Sequence, residues 1–134
     1  MAVLGSLWRA AIPGVGYWIS ANAVAIAALL AFALQGHGPH WLTIVAANEL
    51  LAISLLLVVE GCYRFLGRPS RPWAAYVGVL GVLIGITYWT FVTPDFSARV
   101  TVVSVYHGGL YAMLAVIMLR YRPSNRPRYC YYFL

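Results

Sequence analysis

Charge is scarce in this sequence. Its 134 residues include no lysine, three acidic side chains and nine arginines, so charged residues make up 9% of the chain against 63% hydrophobic. With a mean hydropathy of +0.80, too little polar surface remains to wrap a soluble domain, and a lipid-facing exterior resolves the mismatch. Cysteine is scarce too. Cys62 and Cys130 lack a Cys-x-x-Cys or zinc spacing and read as free thiols. The net charge of +6 comes from arginines placed between or beyond the apolar runs. They set membrane topology rather than form a phosphate-tracking stripe, which argues against a nucleic-acid partner.

What remains is an all-α pattern of four apolar runs, each near the roughly 20 residues that cross about 30 Å of hydrocarbon. Spans are expected over 12–34, 41–65, 73–92 and 100–119, forming one transmembrane domain over 1–120 with a basic, aromatic cytoplasmic tail over 121–134. A cleavable leader competes for the first run, because Arg9 precedes it and Ala31-Phe32-Ala33 resembles a cleavage site. Its apolar stretch, however, exceeds the roughly 7–15 residues of a leader. Polar or proline-bearing turns separate the runs at Gln35 to His40, Gly67 to Pro72 and Thr93 to Arg99. In the tail, the arginines suit anionic lipid and the aromatic end suits the interface; a disordered or frameshifted end is the alternative.

Arginines near span ends are retained in the cytoplasm. With the N-terminus inside, Arg9, Arg64, Arg68, Arg71, Arg120, Arg122, Arg126 and Arg128 lie inside and only Arg99 outside. Both termini are therefore expected in the cytoplasm, and the lipid bilayer is the first partner. Aromatic residues mark the same boundaries, with Trp41, Tyr88, Trp89 and Phe91 at one and Tyr17, Trp18, Tyr63, Trp73 and Tyr121 at the other.

Chemistry must come from polar groups inside the spans, where an ionisable side chain costs at least a few kcal/mol. Glu49, preceded by Asn48, lies eight residues into the second run, about 12 Å below the outer boundary at ~1.5 Å per residue. It is either a protonatable or ligand-binding group facing the bundle interior, or a carboxyl bonded to a neighbouring hydroxyl or backbone. His107, at similar depth on the fourth run, is its expected partner. Glu60 falls almost three turns further along the same face, about 16 Å away, too far for a catalytic pair with Glu49. Its position four residues before Arg64 suits a structural ion pair.

His37, His40 and His107 raise a metal or haem reading, but the first two lie in a glycine-proline turn, whereas haem between helices needs histidines facing each other from two spans. No metal or cofactor is assigned. Gly81 and Gly85 form a Gly-x-x-x-Gly pair suited to close helix packing, a homodimer face or a partner membrane protein. No nucleophile-base set, phosphate-cradling loop or carboxylate dyad is present, so the sequence is not read as an enzyme.

Two stretches carry a resemblance: Ala47-Asn48-Glu49-Leu50-Leu51, and Glu60-Gly61-Cys62-Tyr63-Arg64-Phe65-Leu66-Gly67-Arg68-Pro69. With the turn from Tyr88 to Arg99, they resemble the multi-span N-terminal sensor region of certain bacterial diguanylate cyclases, over residues 14–120. The resemblance implies a non-catalytic signal-input module in a bacterial inner membrane. The Gly-Gly-Asp-Glu-Phe motif of the cyclase domain is missing from this sequence, which suits a fragment, a truncated product or a stand-alone sensor. The alternatives are a small proton-coupled transporter using Glu49 and a structural membrane subunit.

Overall fold

A computed structural model describes residues 12–69 and 73–121, which leaves the tail beyond Tyr121, together with Arg9, Arg71 and Cys130, outside the described residues. Four helices make up the described chain: α1 (Val15–Ala33), α2 (Trp41–Phe65), α3 (Trp73–Phe91) and α4 (Phe96–Arg120). Each is long and apolar enough to cross a membrane, the architecture of a multi-pass membrane protein.

Two of the helix starts differ from the sequence expectation, each for a local reason. α1 begins at Val15 rather than at residue 12 because Gly14 takes a left-handed φ of 93°. It also packs so closely on α2 that an added Cβ would overlap the Gly61 carbonyl, so only glycine fits. α4 begins at Phe96 rather than at residue 100. Asp95, in an extended conformation, caps it by accepting the Ala98 backbone N–H at 3.1 Å. Residues 96–99 are therefore helical rather than part of the turn.

α2 opens with a π-helical stretch, Trp41–Ala46, before continuing as an α-helix from Ala47. Thr43, fully buried, donates its hydroxyl to the Pro39 carbonyl at 3.2 Å. Wide turns of this kind are rare and cluster at functional sites.

Consecutive helices run antiparallel. The α1–α2 and α3–α4 turns lie at one end, termed distal, and the start of α1, the turn after Phe65 and the end of α4 lie at the proximal end. Water drives none of this packing where the surroundings are hydrocarbon, so close approach of small residues has to hold the helices together. Ala21, Ala28 and Ala31 are the small buried residues of α1, and at its proximal end Gly14 and Trp18 close onto Gly61 of α2. Trp18 spans the contact, its indole N–H donating to the Val58 carbonyl at 3.4 Å and its ring 5.6 Å from that of Phe65.

α3 and α4 meet through notches. The Tyr106 ring fills the space over Gly78 and Val102 packs over Gly85, while nothing lies within 4 Å of a Cβ added at Gly81. Two core clusters result. One contains Leu55, Leu56, Val59, Ala75, Leu110 and Ile117; a smaller one, nearer the distal end, contains Ala52, Val82 and Ile86. α4 contributes only Leu110 and Ile117 to the buried set. Its outer face is apolar and open, with Val105 70% and Leu119 71% exposed.

Candidate functional site

The distal end holds a cavity of about 270 Å³ where α1, α2 and α4 converge. Its walls follow helical periodicity. α4 supplies Phe96, Arg99, Val100, Val103 and Ser104, spaced i, i+3, i+4, i+7 and i+8 on one face, α2 supplies Ile44 and Asn48 one turn apart, and α1 supplies Phe32 and the turn after it Gln35. Apolar walls thus frame one guanidinium, two carboxamides and a hydroxyl, the pattern of a small-molecule site with a few convergent polar groups.

Arg99 dominates its electrostatics. Guanidinium stays charged in any protein environment, yet Arg99 Nε is buried without a hydrogen-bond partner among the described residues. Its Cζ lies 5.8 Å from the centre of the Phe96 ring. Asp95, the acidic side chain nearest in sequence, accepts the Ala98 amide as the helix cap. Asn48 donates one amide hydrogen to the Ile44 carbonyl at 2.7 Å, which leaves its second N–H and its carbonyl oxygen available to the cavity.

Glu49 sits one position beyond Asn48 but does not line the cavity. Its Oε2 is buried with no hydrogen-bond partner among the described residues, and Tyr106 of α4 lies within electrostatic reach of the carboxyl. Unpartnered buried polar atoms are uncommon, and each calls for a physical reason. The expected Glu49–His107 pair does not form a hydrogen bond among the described residues. His107 instead lies within electrostatic reach of the Leu51 backbone, two residues beyond Glu49 on α2. Tyr106, adjacent to His107 with ring centres 5.9 Å apart, turns its hydroxyl to the Ala75 carbonyl at 3.1 Å.

Glu60 lies deep in the α2–α3 contact, only 6% exposed, and accepts the Tyr76 hydroxyl at 2.5 Å. Arg64, one turn on, places its guanidinium over Tyr17 at 5.2 Å from the ring centre. Tyr121 at the same end is flanked by Arg68 at 4.9 Å and Arg120 at 5.8 Å. Two of these cation–π contacts, Arg64 with Tyr17 and Arg68 with Tyr121, join different elements at the proximal end.

Gly81 and Gly85 do not act as one motif. Gly85 receives Val102 within the chain, whereas Gly81 stands open in a wholly apolar groove it shares with Gly78, Val105 and Tyr106. His37 lies in the α1–α2 turn and His40 immediately precedes α2, and no group of three or more metal-ligating side chains gathers among the described residues.

Of the cavity-lining residues, the sequence pattern singles out Asn48 but not Gln35 or Ser104, and it counts Arg99 only as an outer topology charge. The signal is present in the apolar-polar stripe from Phe96 to Ser104, hidden because residues 96–99 read as part of a turn. Comparison of the chain with known protein families, curated proteins and solved structures finds no match.

Proposed function

We propose that this protein is a signal-input module in a bacterial inner membrane, with the distal end outside, both termini in the cytoplasm, and the cavity around Arg99 as the place where input is read. The observation that carries this reading is a largely apolar cavity at one end of the bundle into which one guanidinium, two carboxamides and a hydroxyl converge. The arginine count along the sequence supports the orientation. The resemblance to cyclase sensor regions points to the same use, with binding passed along α4 to a second copy or a partner membrane protein.

A reporter domain whose output depends on the state of the membrane module, fused after Leu134, tests this. Output should change when small polar solutes are varied outside the cell, and the change should disappear in Arg99→Gln. An output indifferent to every solute, at normal expression, would refute the reading. The orientation has a separate test: cysteine placed at His37 or Phe96 should react with an impermeant thiol reagent from outside, and cysteine at Ser70 should not.

The buried, unpartnered Oε2 of Glu49 favours a second reading, a proton-coupled carrier. In that case Glu49→Gln should abolish solute flux into vesicles. A signal-input module should show no such flux, and a purely structural subunit should tolerate both Glu49→Gln and Arg99→Gln.

A further inference from the structure

We propose that the distal cavity binds a small oxyanion, the carboxylate or phosphate group of a compact polar molecule, with Arg99 as its counter-charge. This names the ligand class of the input site proposed above and rests on that reading.

The first support is an imbalance. Arg99 brings a permanent positive charge into the cavity wall with its Nε buried and unpartnered. The side chain as a whole is half-buried, and a partly shielded charge is favoured when an opposite charge and hydrogen bonds meet it. None of the cavity-lining residues is acidic. Glu49 is outside the lining, and Asp95 is engaged as the α4 cap. An anion from outside the chain would supply the opposite charge that the lining lacks.

The second support is the set of neighbours. Gln35, Asn48 and Ser104 are neutral groups able to donate to oxygen atoms. The planar guanidinium matches the two-oxygen edge of a carboxylate or phosphate. The cavity also adjoins the first turns of α4, where the helix dipole favours negative charge. Its volume of about 270 Å³ equals about nine water volumes at ~30 Å³ each, which suits a short dicarboxylate or a phosphate monoester. A phospholipid headgroup presents the same phosphate chemistry, so the two sources have to be separated.

The test uses the full chain in nanodiscs of phosphatidylcholine, with succinate and inorganic phosphate as probes and succinamide as the uncharged control. Equilibrium dialysis should show saturable binding of succinate or phosphate and none of succinamide. Arg99→Gln should weaken binding about tenfold to a hundredfold, the equivalent of a charge-assisted hydrogen bond, and Ser104→Ala a few-fold. Arg99→Lys keeps the charge and should retain part of the affinity, which separates lost recognition from lost folding.

Should neither probe bind, native mass spectrometry after reconstitution with phosphatidylglycerol decides the source. Lipid retained by the wild type and lost in Arg99→Gln would assign the oxyanion to a lipid headgroup. Succinamide binding as tightly as succinate would overturn the proposal, as would the absence of any Arg99-dependent binding of succinate, phosphate or lipid. Oxyanion binding with an unresponsive fused reporter would refute the signal-input reading alone. A reporter that responds to uncharged solutes without oxyanion binding would refute the oxyanion alone.

Discussion

Replacing Gly61 by alanine tests whether the α1–α2 contact holds the bundle together. A Cβ at this position would overlap the Trp18 indole at Nε1 and Cδ1 and come within 3.1 Å of the Gly14 carbonyl oxygen. The indole has a way to yield, but in doing so it loses the 3.4 Å hydrogen bond to Val58 and the ring contact with Phe65. The Gly14 backbone has less freedom, because it holds a left-handed φ of 93° and itself lies close against Gly61. Overpacking of this kind costs about 1–3 kcal/mol. A hydrogen bond between transmembrane helices is worth about 0.6 kcal/mol on average. The expected destabilisation is therefore about 2–4 kcal/mol.

Gly81→Ala is the matched control. It is also a mid-helix glycine, but nothing lies within 4 Å of its added Cβ, so helix propensity alone should make it neutral or stabilising by up to about 1 kcal/mol. Reversible unfolding in bicelles, read by steric trapping or mixed-detergent titration, measures both variants. Equal stability of Gly61→Ala and Gly81→Ala would refute the packing argument. Because Gly81 is open within the chain, a loss of self-association in Gly81→Leu without loss of monomer stability would identify a homodimer face.

Tyr76→Phe removes the hydroxyl that Glu60 accepts across the α2–α3 contact. It should lower stability by about 1–3 kcal/mol, with Tyr76→Phe/Glu60→Gln recovering part of the loss in the same unfolding assay. Asp95→Ala removes the α4 cap and should cost about 0.5–2 kcal/mol, seen as faster amide exchange at Ala98 and Arg99, whereas Asp95→Asn should keep most of the protection.

The helical class and the four spans were legible because a predominantly apolar run of some twenty residues is too long for a strand and too apolar for a solvated helix, and Arg64, Arg68, Arg99 and Arg120 all fall near span ends. Helix starts were less legible. Gly14 stops α1 through a contact with Gly61, a residue 47 positions away, which no local pattern displays. The Asp95 cap was visible as an acidic residue just after a proline, but a turn rich in proline, aspartate and serine reads equally well as a loop running to Arg99. The partners chosen by side chains were least legible of all. Depth alone put Glu49 opposite His107, yet rotation about the helix axis decides contact, and it placed His107 within electrostatic reach of the Leu51 backbone and Tyr106 within reach of Glu49. Tyr76 and Glu60 likewise meet only because α2 and α3 pack with those faces together.

A cavity becomes an input site only when its ligand prefers one of two arrangements of the bundle. α4 is the element best placed to supply the second arrangement, since its distal half is held to α3 by Val102 over Gly85 and Tyr106 over Gly78 rather than by deep burial. An oxyanion drawing Arg99 towards Gln35 and Asn48 can deliver about 1.5–3 kcal/mol through charge-assisted contacts, a tenfold to hundredfold shift in population. Gly85→Ala tests that coupling without altering a cavity-lining residue. Its Cβ would lie 3.1 and 3.3 Å from the two Val102 methyl groups, so Val102, and with it the distal half of α4, must move by a few tenths of an ångström. The expected outcome is a changed baseline in the fused reporter together with a severalfold change in succinate or phosphate affinity. Unchanged values of both, in a variant that folds normally, would mean that α4 does not carry the signal, even if the oxyanion site itself is real.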